Sequence, residues 1–478
     1  MAVPFVPQGR RNRQVGTMFL TARNKPPRSR FSPPRRPDPS MVHCRGQSFA
    51  TIAPSRRWAC KRTMMVQYDR LAARILMICP PYPSHRQAFA ALAEELRARG
   101  HHVRFLAGDT VRSRPCLPPN DRPHSARLHG EIAAGAARTQ MLCRLGPAAI
   151  AAYRPDLILG DQTEPAAGLL SRHMRIPMVS IACALPFDDE PGVPIPFLGW
   201  RPDHSERGIE RLRTARRIAQ WVMRRQSRVI QTIALDWDLG PLRDFTDCVS
   251  PLMTLAQAVP GFDHPRPVTG GRVRHMGLFR APVAEPLPCD IRPDPDRPLV
   301  YVSLGTLQGH RHRLLARIAR ACRRAGAQVL VSLGGQSAEG ACDIPADWVR
   351  SFVPQRAILE RAQVCVTHAG MNTVMECLEQ GVPMLALPLT NDQPGVAARI
   401  ARTGTGLRLS PRWASEARIH DALCRLLDDP SFRANAHGFA QDAPHWPRAA
   451  GAADAIESVL GRRPSLVTAP VAAREWRR

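Results

Sequence analysis

Short apolar runs alternate with longer stretches of helical spacing, and this alternation limits the fold more than any other feature of the chain. The run at 75–79 is followed by apolar residues at helical spacing across 86–99, and a second short run comes at 103–106. Wholly apolar runs of this length are typical of parallel strands buried on both faces. The pattern predicts a β-α-β unit, which builds a parallel sheet through a right-handed crossover.

The same alternation continues and then begins again after a Pro-rich segment. Further strands are predicted at 156–159 and 177–181, and a long Arg-rich helical stretch at 205–235. A second series follows, with strands at 299–304, 328–333, 364–367 and 383–387 and helices at 311–325 and 372–380. The sequence thus predicts two tandem, doubly wound, Rossmann-like α/β domains at 71–288 and 298–461, joined by a linker at 289–297 and followed by a tail at 462–478.

The first 70 residues lack any such period. They hold 15 of the 67 Lys and Arg residues but 2 of the 40 Asp and Glu residues, so they carry much of the formal charge of +27. Two interpretations are open: a disordered, basic, Pro-rich arm, or upstream sequence wrongly assigned to a chain that starts at Met64 or Met65. The segment lacks the apolar core of a secretory signal.

Composition excludes several classes of protein. An apolar content of 44% excludes a wholly disordered chain. No apolar run approaches the roughly 18–20 residues of a membrane span, so we expect a cytoplasmic protein. The 13 cysteines form no CxxC pair, as expected of buried thiols in a reducing compartment.

The positive charge motivates a nucleic-acid-binding protein as an alternative. Lysine occurs at Lys25 and Lys61 and nowhere else, and a basic content made almost wholly of Arg, with abundant Ala and Pro, indicates a codon bias. The sequence has neither an aromatic-basic RNA motif nor a zinc finger. We therefore expect no nucleic-acid partner.

The densest set of chemistry-bearing residues follows the predicted strand at 364–367. His368 and Gly370 form a turn there, and Asn372 and Thr373 open the next helix. Such a turn is where α/β sheets bind ligands. The free N–H groups and positive dipole end of the helix suit a phosphate.

A second turn of this kind follows the strand at 299–304 and contains Ser303, Gly305 and Thr306. Two phosphate-type turns in one domain are far more specific than one. Polar residues that suit ribose and sugar hydroxyls lie further along, at Glu376, Asp392 and Gln393.

Together these segments resemble the donor-binding signature of UDP-dependent glycosyltransferases with the two-domain GT-B fold. The resemblance implies that Phe352 stacks on the uracil, as a Trp does in plant members, and that Gln355 binds the nucleoside. It assigns the diphosphate to the two turns, the ribose to Glu376, and the transferred sugar to Asp392 and Gln393.

The first domain adds a candidate general base. The loop at 80–85, which ends at His85, resembles the family's first loop, whose His deprotonates the acceptor. A His with a pKa near neutrality is suited to that step. Asp161, at a strand end, would orient the imidazole, although capping of the next helix is a second interpretation of Asp161 and Glu164 is a rival partner.

Within the family, the segments at 161–165, 180–186, 303–311 and 392–395 are similar to those of bacterial zeaxanthin glucosyltransferases. This resemblance implies a hexosyltransferase that moves glucose from UDP-glucose to the hydroxyl groups of zeaxanthin with inversion. The alternatives are the same chemistry on another lipophilic acceptor (a macrolide, sterol or glycolipid) and a non-catalytic homologue that binds the sugar nucleotide alone.

Two Asp-x-Asp triplets, at 236–238 and 294–296, match a metal-binding pattern that is common by chance. Neither follows a predicted strand, so we expect no metal and no other cofactor.

The Arg-rich stretch allows a contact with lipid. Its apolar residues are Ile209, Leu212, Ile218, Trp221 and Val222, and its arginines include Arg211, Arg216, Arg217, Arg224 and Arg225. One interpretation is a helix on anionic lipid, which would place the protein peripherally on the inner face of the membrane. The other is a core-packed helix with a solvated basic face.

Overall fold

The computed structural model describes residues 72–106, 124–266, 268, 271–280, 286–306, 308–337 and 343–461, which belong to one compact unit, Asp69–Arg478. The predicted arm at 1–70 and tail at 462–478 lie outside the described residues. Within the described ranges, no helix is both long enough and apolar enough to cross a membrane.

The first half of the described chain builds a parallel six-stranded sheet. Its strands, in chain order, are β1 Arg74–Ile78, β2 His102–Phe105, β3 Leu157–Asp161, β4 Met178–Ala182, β5 Thr254–Ala256 and β6 Val273–His275. The helices are α1 Pro83–Ala98, α2 His124–Tyr153, α3 Pro165–Met174, α4 Glu206–Val222 and α5 Arg224–Asp236. Every residue of β3 and β4 is buried, which explains their apolar composition.

The second half repeats this architecture. Its strands are β7 Leu299–Ser303, β8 Gln328–Ser332, β9 Trp348–Arg350, β10 Val364–Thr367, β11 Met384–Ala386 and β12 Gly406–Arg408. The helices are α6 His312–Arg324, α7 Gln355–Leu359, α8 Met371–Glu379, α9 Gln393–Arg402, α10 Glu416–Asp428, α11 Pro430–Asp442 and α12 Arg448–Gly461. Two doubly wound parallel sheets are therefore present, and the predicted fold class is confirmed.

The strand order places one crevice in each sheet. The first sheet has the order β2-β1-β3-β4-β5-β6, so the order reverses between β1 and β3. The second has the order β12-β11-β10-β7-β8-β9 and reverses between β7 and β10. Ligands of open α/β sheets bind beyond the carboxyl ends of the strands at such a switch point. The loops after β1, β3, β7 and β10 therefore border the expected ligand sites.

Two local predictions were wrong. The stretch at 205–235 is two helices, α4 and α5, which are separated at Met223. The loop predicted at 80–85 ends earlier, because Pro83 occupies the first turn of α1, where a proline ring fits. His85 therefore lies in the first turn of a helix.

The last helix returns to the first sheet. Ala452, Ala453 and Ile456 of α12 are buried in the same core cluster as the apolar face of α1. Arg99, which follows α1, donates to Asp454 at 2.6 Å. The predicted range 298–461 thus includes a helix whose packing partner is the first domain.

A buried ion pair joins the two halves near the crevices. Arg399 of α9 is 1% exposed and contacts the Asp263 carboxylate at 2.7 Å. Arg266 and His275 contact the same carboxylate, and the two arginines together with the His275 hydrogen bond hold the pKa of Asp263 well below its usual range despite burial. Helix α9, which directly follows Asp392, is therefore held against the first domain.

Candidate active site

His85 and Asp161 meet at the switch point of the first sheet. His85 Nδ1 lies 2.7 Å from Asp161 Oδ2, with the His side chain 16% exposed and the Asp side chain fully buried. The other carboxylate oxygen accepts from the backbone N–H of Thr163 at 2.8 Å and from its hydroxyl at 2.6 Å. These three hydrogen bonds help to fix the carboxylate, which in turn fixes the imidazole.

The electrostatics of this pair favour a charged imidazolium. Burial would lower the pKa of His85, but the Asp161 carboxylate and its hydrogen bond, with help from Asp392, raise it above the ordinary value. Burial would raise the pKa of Asp161, but His85 and Thr163 lower it. An imidazole stabilised in its charged form is suited to accept a proton near neutral pH.

Contact between a histidine and a carboxylate is not by itself a mark of catalysis. His101 lies 3.2 Å from Glu457, yet its Nδ1 accepts a bond from the backbone N–H of Ala73 at 3.2 Å, at the amino end of β1. Both nitrogens of that ring therefore hold structure together. His85 differs because it lies at the carboxyl edge of the sheet, where α/β folds bind ligands.

Glu164, the rival partner of His85, is directed elsewhere. Its buried carboxylate forms an ion pair with Arg138 and accepts from the Thr139 hydroxyl at 3.2 Å. Burial raises the pKa of Glu164, while Arg138 opposes that shift. In the described residues, then, the partner of His85 is Asp161.

A cysteine completes the cluster around this carboxylate. The ligand atoms of His85, Asp161 and Cys183 all lie within 4.8 Å of one another, and this is the cluster that the described residues offer to a metal. Burial and the nearby Asp161 raise the pKa of the Cys183 thiol well above its ordinary value, and the thiol is hydrogen-bonded to that carboxylate. A protonated thiol is a poor metal ligand. Neither Asp-x-Asp triplet contributes to such a cluster.

Asp392 brings the second domain to this site. Its carboxylate lies close enough to His85 to raise the pKa of that histidine. Burial raises the pKa of Asp392, and His85 opposes that shift. Its Oδ2 is buried and has no hydrogen-bond partner among the described residues. A buried polar atom without a partner is able to bind a ligand.

The side chain of Gln393, which was predicted to bind the transferred sugar, forms hydrogen bonds within its own loop. Its amide oxygen accepts from the backbone N–H groups of Leu389 and Thr390, at 2.7 and 2.8 Å, and its amide nitrogen donates to the Thr390 hydroxyl. The side chain thereby shapes the loop in front of α9.

The second switch point brings the two predicted phosphate turns together around His368. A Cβ atom on Gly305 would lie 2.5 Å from His368 Cε1, and one on Gly370 would lie 2.4 Å from His368 Nε2. Gly305 also has a φ of +74°, which favours glycine. Both turns thus require glycine for the ring to fit between them.

His368 is neutral at physiological pH. Burial lowers its pKa to about 4, opposed by a hydrogen bond to the Ser303 backbone, and its Nδ1 has no partner among the described residues. No carboxylate of the described residues contributes to its pKa. Negative charge brought by a phosphate would raise the pKa of such a ring and favour its donor form.

Behind this turn lies a polar network. Gln355 donates to the Glu376 carboxylate and lies within 3.4 Å of the Thr373 hydroxyl. The Tyr301 hydroxyl donates to the Gln355 amide oxygen at 3.2 Å. Three of the residues predicted to bind the donor (Gln355, Thr373 and Glu376) are therefore in direct contact.

Arg280 links this network to the first domain. Its guanidinium forms an ion pair with the fully buried Glu376 carboxylate and donates to the Gln87 amide oxygen at 2.8 Å. Gln87 lies in α1, two residues beyond His85. The cleft is therefore bridged by one side chain that contacts both halves.

The remaining predicted donor residues line the same edge. Phe352 is 68% exposed and lies just before α7, so its ring is open to a base. Ser303 is buried and its hydroxyl accepts from the Gly305 N–H at 3.4 Å. Thr306 is exposed and Asn372 is half-buried, and both lie beside the turns.

Sequence reasoning missed Arg280, Tyr301, Cys183 and Arg138. Each belongs to a strand or helix pattern, or follows one, in which its type is unremarkable. The contacts that give these residues a role at the site are formed with segments far away in the chain. No local signal was available to find them.

The chain is similar to known proteins along most of its length. A family model described as UDP-glucoronosyl and UDP-glucosyl transferase matches residues 218–447. Zeaxanthin glucosyltransferase from Pseudescherichia vulneris is 35% identical over 399 residues, which cover 78% of this chain and 95% of that protein. The protein of the same name from Pantoea ananas is 33% identical, covering 74% of this chain and 89% of that one.

The fold has solved counterparts. A crystal structure of the glycotransferase of kitacinnamycin aligns with a TM-score of 0.64 at 22% identity, over 81% of this chain and 98% of that one. This likeness shows the GT-B fold. With the sequence relatives, it places the chain in the UDP-glucoronosyl and UDP-glucosyl transferase family, as a UDP-sugar glycosyltransferase with the GT-B fold.

Proposed function

We propose that this enzyme transfers glucose from UDP-glucose to the hydroxyl groups of zeaxanthin, with inversion at the anomeric carbon. The names of the two curated relatives, which align along nearly their whole length, support both the donor and the acceptor. Because zeaxanthin has a hydroxylated ring at each end, the reaction can occur twice on one molecule.

The observation that carries the mechanism is the 2.7 Å contact between His85 Nδ1 and Asp161. With Nδ1–H donated to the carboxylate, Nε2 has a free lone pair and takes the proton of the acceptor hydroxyl. The oxygen attacks the anomeric carbon as the bond to the diphosphate breaks, and UDP leaves with the electron pair. Asp161 stabilises the imidazolium that forms.

The donor residues act mainly by position. The turns around His368 would surround the diphosphate, with helix α8 directing its N-terminal N–H groups toward the leaving group. Glu376 would accept from the ribose hydroxyls and Phe352 would stack on the uracil. Asp392, whose Oδ2 has no partner in the described part of the chain, would accept from a hydroxyl of the sugar close to His85.

We propose that the reaction requires no metal ion. In the one candidate cluster among the described residues, His85 Nδ1 is hydrogen-bonded to Asp161. Burial keeps the Cys183 thiol protonated. The negative charge on the departing diphosphate is then stabilised by backbone N–H groups and side-chain donors that the fold already holds in position. Full turnover in the presence of EDTA would support this, and loss that Mg²⁺ restores would overturn it.

The first experiment supplies UDP-glucose, radiolabelled in the sugar, together with zeaxanthin in detergent micelles. Cholesterol is supplied in a parallel tube, and the lipid products are separated by chromatography. Labelled mono- and diglucosides from zeaxanthin alone establish donor and acceptor. Label on cholesterol or another lipid, and none on zeaxanthin, would overturn the acceptor while keeping the donor site.

The stereochemistry has its own test. The anomeric proton coupling in the NMR spectrum of the product distinguishes a β-glucoside, expected from a single displacement on α-linked UDP-glucose, from the α-anomer. An α-glucoside would contradict the role of His85 as the base of a one-step reaction.

A further inference from the structure

Helix α4 presents large apolar side chains to solvent. Ile218 and Trp221 are 60% and 65% exposed, and their spacing of three residues places them on one face of the helix. Gly208 and Leu212, which are buried, face the protein instead. Arg224 lies over the Trp221 ring at 4.4 Å. The helix therefore packs on the protein through one face and leaves the other uncovered within the described structure.

Helix α4 and the first turns of α5 are strongly basic. Between positions 206 and 228 the chain has eight arginines and two glutamates. Several of these arginines pair with carboxylates, but Arg217, Arg225 and Arg228 are exposed and form no ion pair among the described residues. Arg217 directly precedes Ile218 on α4, and Arg225 and Arg228 lie on α5, so unneutralised positive charge accompanies the exposed apolar pair.

We propose that the outer face of α4, with Ile218 and Trp221 at its centre, binds the surface of a bilayer that contains anionic lipid. Tryptophan prefers the boundary between headgroups and acyl chains, and arginines beside it attract acidic headgroups. A second copy of the chain is a poorer occupant, since it would bring the same positive charges together. Nucleic acid would use the charge but leave the apolar pair without a role.

The position of α4 relates this surface to the acceptor side of the cleft. Arg216 of α4 forms an ion pair with Asp189, in the segment that follows β4. In that segment the Phe187 N–H donates to Gln162, the residue after Asp161. A bilayer bound at α4 would therefore lie beside the loops of the first domain that border His85. The lipid contact itself does not depend on the identity of the acceptor.

The test is flotation of the full chain with vesicles of phosphatidylcholine and phosphatidylglycerol, compared with phosphatidylcholine alone. The double variant Ile218→Gln and Trp221→Gln should partition about tenfold less. The matched control is Trp413→Gln, because Trp413 is also 65% exposed and has Arg412 at 6.0 Å from its ring, but lies in the second domain. The control should float like the wild type.

The charges are tested separately. Replacing Arg217, Arg225 and Arg228 with Gln should weaken binding to the acidic vesicles by about fivefold for each arginine. Residues 1–70 are present in every variant, so differences between variants report on α4. Unchanged UDP binding shows that each variant is folded.

Three outcomes would overturn the proposal. In the first, the wild type remains at the bottom of the gradient even with the acidic vesicles. In the second, the α4 variants float as well as Trp413→Gln. Alternatively, the arginine variant would lose salt-dependent retention on DNA and keep its vesicle binding, which would favour a nucleic acid as the partner.

Discussion

His85 and His368 lie just beyond strands that border the switch points of the two sheets, yet their surroundings give them opposite properties. His85 has a buried carboxylate at 2.7 Å, and its pKa is raised. His368 lies between two glycine turns, where no carboxylate of the described part of the chain affects it, and burial lowers its pKa to about 4. Similar positions in the two sheets thus give histidines of different character. A neighbouring carboxylate raises the pKa of His85, which suits the proposed proton acceptor, whereas burial keeps His368 neutral. We expect the first to carry turnover and the second to carry donor affinity.

The largest effect is expected from His85→Ala. Removal of the proposed general base should lower kcat by about 10³-fold and leave the affinity for UDP at the wild-type level. Initial rates with labelled donor and calorimetric titration with UDP measure the two quantities. His101→Ala is the matched control, since His101 also contacts a carboxylate but lies at the opposite edge of the sheet. Equal losses of UDP affinity in His85→Ala and His368→Ala would contradict the division of roles.

The next effect is expected from Asp161→Asn. It should lower kcat/KM by about 10²-fold at neutral pH, because the imidazolium loses its stabilising charge. The base must be neutral to act, so the raised pKa of His85 sets the acid limb of the pH profile. Without the Asp161 charge that pKa falls, and the limb should move to lower pH.

Glu164→Gln is the control for the pH profile, because that carboxylate pairs with Arg138. His368, with a pKa of about 4, does not titrate in the neutral range and so adds no limb there. A limb that moves in Glu164→Gln and stays in place in Asp161→Asn would assign the partnership to the other acid.

His368→Ala should weaken UDP binding by about 10- to 100-fold, as expected for the loss of a hydrogen bond to a charged group. At saturating donor, kcat should fall far less than in His85→Ala. Calorimetry gives the affinity, and rates over a range of donor concentrations separate kcat from KM. A loss confined to kcat would place His368 in the chemical step instead.

The smallest effect separates backbone strain from site geometry. Gly305 and Gly326 both have a φ of +74°, but a Cβ on Gly326 meets no atom within 4 Å. Both Gly→Ala variants should lose about 1 kcal/mol of unfolding free energy, from the left-handed backbone. Gly305→Ala should also bind UDP several-fold more weakly, because its Cβ would collide with His368. Denaturant unfolding and UDP titration distinguish the two contributions, and equal UDP affinities would contradict the fit of the ring between the turns.

Some strands could be predicted from short segments of the sequence, because their apolar pattern depends only on neighbouring residues. The buried strands β7 and β10 are continuous apolar runs and were placed within a residue of their ends. Of the three-residue strands, β11 lies within a longer apolar run and was predicted. Strands β5, β6, β9 and β12 were missed, since so short a segment has no measurable period. The break at Met223 was missed because the pattern remains helical across it.

The sequence by itself determined the two-domain α/β architecture and the polar turns after the strands, because apolar period, glycine and turn chemistry are local properties. The tertiary structure decided which charges meet: Asp161 with His85, Glu164 with Arg138, and Arg280 with both Glu376 and Gln87. Coulombic and hydrogen-bond energies depend on distance in space. Residues such as Arg280 and Glu376, almost a hundred positions apart, therefore acquire their partners only when the sheets and the cleft have formed.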